Sequence, residues 1–264
     1  MRELLNTKIR VALPTMVMIQ SFGTMCGSVG AVVVVQASAD LGVKPTSIGI
    51  YSAVMYIVAM VSSLAAGSLL ARYGVIRTCQ GLLLSCGAGL VLSSFVPLWP
   101  IALVAAALIG LASGPLNPAG SRILARHSPE RWRPLVFSIK QTGTPIGGML
   151  AGLLLPPLMA LYDWRIAAAT VALLPLLAIF GLQWVRPDLD DDRDPSFPVN
   201  ISGIIDSLQV IVTDKKLSIL VVAGFLYTFV QMAILTYIVI YLEEANRLPT
   251  AVAGAMFAII HASA

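Results

Sequence analysis

Lys140, Gly143, Thr144 and Gly147 recur at helical spacing, so a cation shares one helix face with small residues, and Gln141 follows it directly. Six residues separate Pro134 from Lys140, which places the lysine roughly 9 Å into a helix that starts there, at about 1.5 Å per residue. An ammonium in apolar surroundings is costly unless it reaches water, protein or an anion. Two readings follow. The stem snorkels back to the surface, or the cation points inward with its glycine face and holds an anion. No carboxylate shares that depth, because Asp40, Asp163, Glu243 and Glu244 all fall at the ends of apolar stretches. On the second reading the counter-ion is therefore a small organic anion, bound as substrate.

Two further faces combine small and polar residues. Gln20, Gly23, Thr24, Gly27 and Ala31 form one, and Gly110, Gly114, Asn117 and Ser121 form the other. Small residues let helices approach closely, and packing alone accounts for the glycines. The amides of Gln20, Asn117 and Gln141 need a polar partner or a wet cavity. Arg122 is a weaker candidate, one turn from Arg126 and off the Asn117 face, where snorkelling competes. Catalysis finds no support: His127 and His261 have no metal-ligand neighbour, and no carboxylate pair lies within an apolar stretch. The thiols Cys26, Cys79 and Cys86 lie in apolar stretches and form no disulfide framework. No cofactor or metal is implied, and the charge balance gives no nucleic-acid role.

The elements that position these groups are apolar. Of 264 residues, 58% are hydrophobic and 11% charged, against about 25% charged in soluble domains, and the mean hydropathy is +0.87. A water-soluble globule is excluded. Apolar stretches run 11–35, 48–70, 78–95, 101–124, 135–161, 166–185, 217–242 and 250–264. All but the last reach the roughly 20 residues needed to cross a bilayer. The first follows Arg2, Lys8 and Arg10 and ends near Ala37-Ser38-Ala39, like a cleaved signal, but exceeds the h-region of about 7–15 residues and reads as a retained helix. Dealing the connections alternately to two sides leaves Lys44, Arg165 and Arg247 on one side and the other fourteen of the 17 Lys and Arg on the N-terminal side. Excess Lys and Arg marks the cytoplasm, so the N-terminus is expected there.

Between the sixth and seventh stretches lies Pro187-Asp188-Leu189-Asp190-Asp191-Asp192-Arg193-Asp194-Pro195. Mutually repelling carboxylates and prolines predict a solvated linker; a divalent-cation site lacks an EF-hand pattern. Pro14, Pro115, Pro118, Pro145, Pro156, Pro157 and Pro175 are each expected to interrupt or end a helix.

Six helices, a charged cytoplasmic linker and the start of a second set resemble the major facilitator superfamily of secondary transporters. Gly67-Ser68-Leu69-Leu70-Ala71-Arg72-Tyr73-Gly74-Val75-Ile76-Arg77 is similar to that family's G-x-L-a-D-r-x-G-r-r-x motif at Gly67, Leu69, Arg72, Gly74 and Arg77. Ala71 stands where the family has an acid that helps lock one conformation. Asp163-Trp164-Arg165 looks like the family's G-W-R, and Lys140 to Gly148 resembles its G-P-x-x-G-G motif loosely, with the proline displaced.

The resemblance implies an all-α integral membrane protein. Residues 1–186 form a six-helix bundle, 187–216 a cytoplasmic acidic linker, and 217–264 the start of a second bundle, with a complete seventh helix and a partial eighth. It implies alternating access around a midplane site, lined by Gln20, Asn117, Gln141, Tyr227 and Gln231 beside Lys140, with Gly67, Arg72, Gly74 and Arg77 as the gating motif. The partners implied are a small polar solute, foremost an organic anion, and the lipid bilayer, with the remaining helices supplied on another chain. The expected location is a bacterial cytoplasmic (inner) membrane. A different class remains open: a truncated, non-transporting membrane protein or interaction partner. In this chain alone the inward glycine faces of helices 1, 4 and 5 are expected to lack partners.

Overall fold

The computed structural model describes residues 7–96, 98–197 and 213–263. Arg2 and the 198–212 part of the expected linker lie outside them. Every regular element among the described residues is helical, the arrangement that pairs backbone N–H and C=O groups where no water can. In chain order the helices are α1 (Thr7–Asp40), α2 (Ile48–Leu64), α3 (Ala66–Tyr73), α4 (Val75–Phe95), α5 (Trp99–His127), α6 (Arg133–Gln141), α7 (Gly143–Leu161), α8 (Trp164–Leu189), α9 (Lys215–Ile240) and α10 (Thr250–Ala262). Among the described residues, seven helical segments are long and apolar enough to cross a membrane, with α6 and α7 together forming the fifth. Helix α10, at 13 residues, is shorter.

Two of the expected spans are broken. The second divides at Ala65, whose N–H turns back to the Ser62 carbonyl at 3.2 Å. Just before it, the hydroxyls of Ser62 and Ser63 donate to the carbonyls of Ala59 and Met60, a local competition that loosens a helix. The fifth divides at Thr142, whose N–H donates to the Ile139 carbonyl at 3.2 Å. Pro145 cannot supply an N–H to the preceding turn, which accounts for a break at that point.

The other prolines correct the expectation. Pro14 lies inside α1, Pro115 and Pro118 inside α5, Pro156 and Pro157 inside α7, and Pro175 inside α8, all without interruption. One missing backbone bond is tolerated where neighbouring helices fix the path.

The glycine faces are partnered, which overturns the expectation that they stand unfilled. A Cβ at Gly23 would collide with Leu116 of α5, one at Gly147 with the Ser21 carbonyl of α1, and ones at Gly110 and Gly114 with the Met55 and Ala59 carbonyls of α2. Backbones thus meet directly between α1 and α7 and between α2 and α5. Asp40, at the end of α1, accepts from the indole of Trp164 at 2.8 Å and the guanidinium of Arg165 at 3.0 Å, tying α1 to α8. Asp163 caps α8, accepting from the Ile166 N–H at 2.8 Å.

Helix α9 is held at one end. Its buried residues are Thr236, Val239 and Ile240, and every residue from Val221 to Val230 is exposed. Helix α10 packs along α7.

Candidate functional site

Lys140 lies in the last turn of α6, and only 3% of its surface is exposed. Its stem crosses Gly120 of α5, where a Cβ would stand 2.8 Å from Cε. The ammonium donates to Oδ1 of Asn117 at 2.5 Å. The lysine therefore turns into the bundle rather than snorkelling. One turn further on, a Cβ at Gly143 would lie 2.8 Å from Cβ of Gln20, and the Gln20 amide donates to the Thr144 hydroxyl at 3.3 Å. Helices α1, α5, α6 and α7 thus assemble Gln20, Asn117, Lys140 and Thr144. Glycine makes the assembly possible, since larger residues at 120 and 143 would fill the space these side chains occupy. Chemically the cluster offers one cation, two amides and a hydroxyl, a set suited to a carboxylate and neighbouring hydroxyl groups.

Not every expected residue joins it. Gln141 is adjacent and exposed, as Asn117 is, but only Asn117 is tied to Lys140 by a hydrogen bond. Tyr227 is 68% exposed on the stretch of α9 that has no buried residue, and Gln231 is half-buried one turn later. Arg122 is engaged elsewhere: its guanidinium donates to Asp192 at 3.2 Å.

That contact belongs to a clamp at the basic end of the bundle. Asp191 pairs with Lys8 at 2.7 Å and with Arg126 at 2.6 Å, and Asp192 pairs with Arg126 at 3.1 Å. Asp190 accepts from the N–H groups of Ile76 at 2.7 Å and Arg77 at 3.0 Å. The Asp194 N–H donates to the Ala71 carbonyl at 2.8 Å. The acidic segment is thus tethered to the bundle through Asp190–Asp192, where its composition predicts no docking, because cations from α1 and α5 and a helix terminus converge there. Asp191 and residues 193–197 stay exposed, as that composition predicts. Burial pushes the Asp190 carboxyl up, against the opposing pull of its two backbone donors and Arg186. Lys8, then Arg126, holds Asp191 down.

The motif residues surround this clamp. Gly74 has φ +88° and ψ 163°, a conformation open to glycine, and a Cβ there would stand 2.5 Å from Cγ of Asp190. Arg77 also donates through its side chain to Gln80 at 3.2 Å, and the Arg72 guanidinium lies 5.6 Å from the Tyr73 ring centre. Gly67 sits within α3 with open space around it. Sequence reading missed Asp190 because nothing local links it to residues 76 and 77. It also passed over His261, although Gly254, Ala258 and His261 lie on one small-residue face of α10.

The sequence profile of the Major Facilitator Superfamily matches residues 15–264. The chain belongs to that family. A bacterial homologue of the human lysosomal transporter Spinster, solved in an inward-facing and occupied conformation, superposes with a TM-score of 0.74 over 97% of this chain and 59% of its own, at 15% identity. The peptide transporter POT in complex with alafosfalin gives 0.60 over 86% and 51%, at 19% identity. The hexuronate transporter of Bacillus subtilis (strain 168) is 23% identical over 145 residues, 53% of this chain and 34% of that protein. The chain spans about half the length of these solved transporters and a third of that relative.

Proposed function

We propose that the chain serves in secondary transport of a small organic anion by alternating access, with Lys140 as the anion-binding cation. The observation that carries this reading is a buried ammonium whose partner is a neutral amide. An amide oxygen leaves the positive charge uncompensated, and a carboxylate entering from a wet cavity would neutralise it. Gln20 and Thr144 then offer hydrogen bonds to hydroxyl groups. The relative that moves hexuronates, which carry one carboxylate and several hydroxyls, supports a substrate of this kind. The basic end, with Lys8, Arg122 and Arg126, is assigned to the cytoplasm of a bacterial cell, with the N-terminus inside.

Proteoliposomes containing the complete protein test the reading with labelled glucuronate and glucose. Lys140→Gln should reduce glucuronate uptake at least tenfold and leave any glucose flux unchanged. Undiminished glucuronate uptake by the variant would reduce Lys140 to a packing residue.

A further inference from the structure

His261 lies on the seam where α10 packs along α7, the most extensive contact that α9 or α10 makes with the earlier helices. The seam is close. A Cβ at Gly152 would stand 3.1 Å from that of Ala258, and one at Gly254 would strike Pro156. The imidazole occupies the space left by Gly148, where a Cβ would collide with Cδ2, Nε2 and Cγ of the ring. Only 5% of the residue is exposed. Its Nδ1 lies 3.0 Å from the Phe257 carbonyl, and a carbonyl can only accept, so Nδ1 carries the proton and the Nε2 lone pair faces α7. The Phe257 ring covers the imidazole at 4.4 Å between centres.

The charges around this ring are few. Helix α7 carries no titratable side chain from Gly143 to Leu161. The end of α9 contributes Tyr237, and the turn after it contributes Tyr241, Glu243 and Glu244. Glu243 lies beside Thr250, at the far end of α10 and roughly 16 Å along the helix from His261. Lys140, eight residues before Gly148, is itself a cation. A proton taken up at Nε2 therefore makes an imidazolium that has no counter-ion among the described residues in a buried contact, and that species gains by reaching water.

We propose that proton uptake at Nε2 of His261 weakens the α7–α10 seam, so that separation of the first six spans from the helices after them becomes proton-dependent. The inference concerns the seam alone and stands whether or not Lys140 binds an anion.

The test places nitroxide labels at Leu153→Cys and Ile259→Cys, both on outward faces, after replacing Cys26, Cys79 and Cys86 by alanine. Distances are measured by pulsed electron resonance in nanodiscs of uncharged lipid at about pH 8 and about pH 5. The expected result is a longer, broader distribution in acid, absent in His261→Gln. Identical distributions at both pH values with His261 in place would overturn the proposal without recourse to the variant. So would the same acid shift in His261→Gln.

Discussion

Asp190 and Ile76 are 114 residues apart, yet one carboxylate oxygen of Asp190 accepts the Ile76 N–H at 2.7 Å while the other takes that of Arg77. The start of α4 is thus capped by a residue that follows the last turn of α8, distant in sequence but at the same end of the bundle. Gly74, in the local capping position, has no side chain to do so. Asp190→Ala should cost about 1 kcal/mol, the typical loss for a cap. Asp190→Asn, which keeps one acceptor oxygen, should fall between. Thermal unfolding in detergent reads both, and an unchanged midpoint for Asp190→Ala would remove the cap from the account of stability.

The neighbouring Asp191 should make docking of the acidic segment sensitive to acid and salt. Its carboxyl is held down by Lys8 and Arg126, so its contribution is present above the ordinary aspartate value of about 3.9 and is lost as the pH falls through the lower folded value. Asp190 is pushed up and works in the opposite sense: its contribution is full below the ordinary value and is lost as the pH rises through the raised one. A nitroxide at Phe197→Cys should become more mobile in strong acid, and also near 1 M salt, where screening shortens to about 3 Å. Asp191→Asn should be mobile already at neutral pH and low salt. An immobile label in that variant would mean that Asp190 and Asp192 hold the segment without Asp191.

What was readable beforehand follows from the range over which each interaction acts. The seven spans were legible because hydropathy and length are properties of a continuous segment. The inward faces of Gln20 and Lys140 were legible because helical spacing is local, and both are buried while Asn117 is exposed. The docking of Asp190 to Asp192 was hidden, since a run of carboxylates looks solvated until cations from α1 and α5 are brought beneath it. Arg122 was grouped with the anion site for the same reason, its partner Asp192 being 70 residues away. Tyr227 and Gln231 were placed by family layout, and helix spacing alone says nothing about where α9 packs.

Glycine substitutions should separate close helix contacts from open positions. Gly147→Ala drives a methyl group into the Ser21 carbonyl, with Cβ of Thr24 only 2.8 Å away. Backbone on one side leaves no flexible neighbour to yield, and a cost of about 1–3 kcal/mol is expected, as for overpacked cores. Gly81 and Gly181 have open space, and alanine there should be neutral or stabilise by up to about 1 kcal/mol through helix propensity. Gly67→Ala should behave like the latter pair. If Gly147→Ala unfolded at the wild-type temperature, α1 and α7 would have to be farther apart than described.

The sharpest test of the anion site changes the partner of Lys140 rather than the lysine. Asn117→Asp preserves shape and supplies a carboxylate where the ammonium already has an amide oxygen at 2.5 Å. The internal charge pair should keep the fold, because a buried cation gains a counter-ion instead of losing a hydrogen bond. The same pair should occupy the charge that a substrate carboxylate would use, so anion uptake should fall at least tenfold, as in Lys140→Gln, with the unfolding midpoint retained or raised. Asn117→Leu separates the two effects. It leaves the ammonium free of any internal anion but strips its hydrogen-bond partner, and should cost about 1–3 kcal/mol of stability. Where that variant still folds, a substrate carboxylate remains the better partner, and uptake should persist. Uptake that survives Asn117→Asp and fails in Asn117→Leu would reverse the assignment, making Asn117 the substrate contact and Lys140 its support.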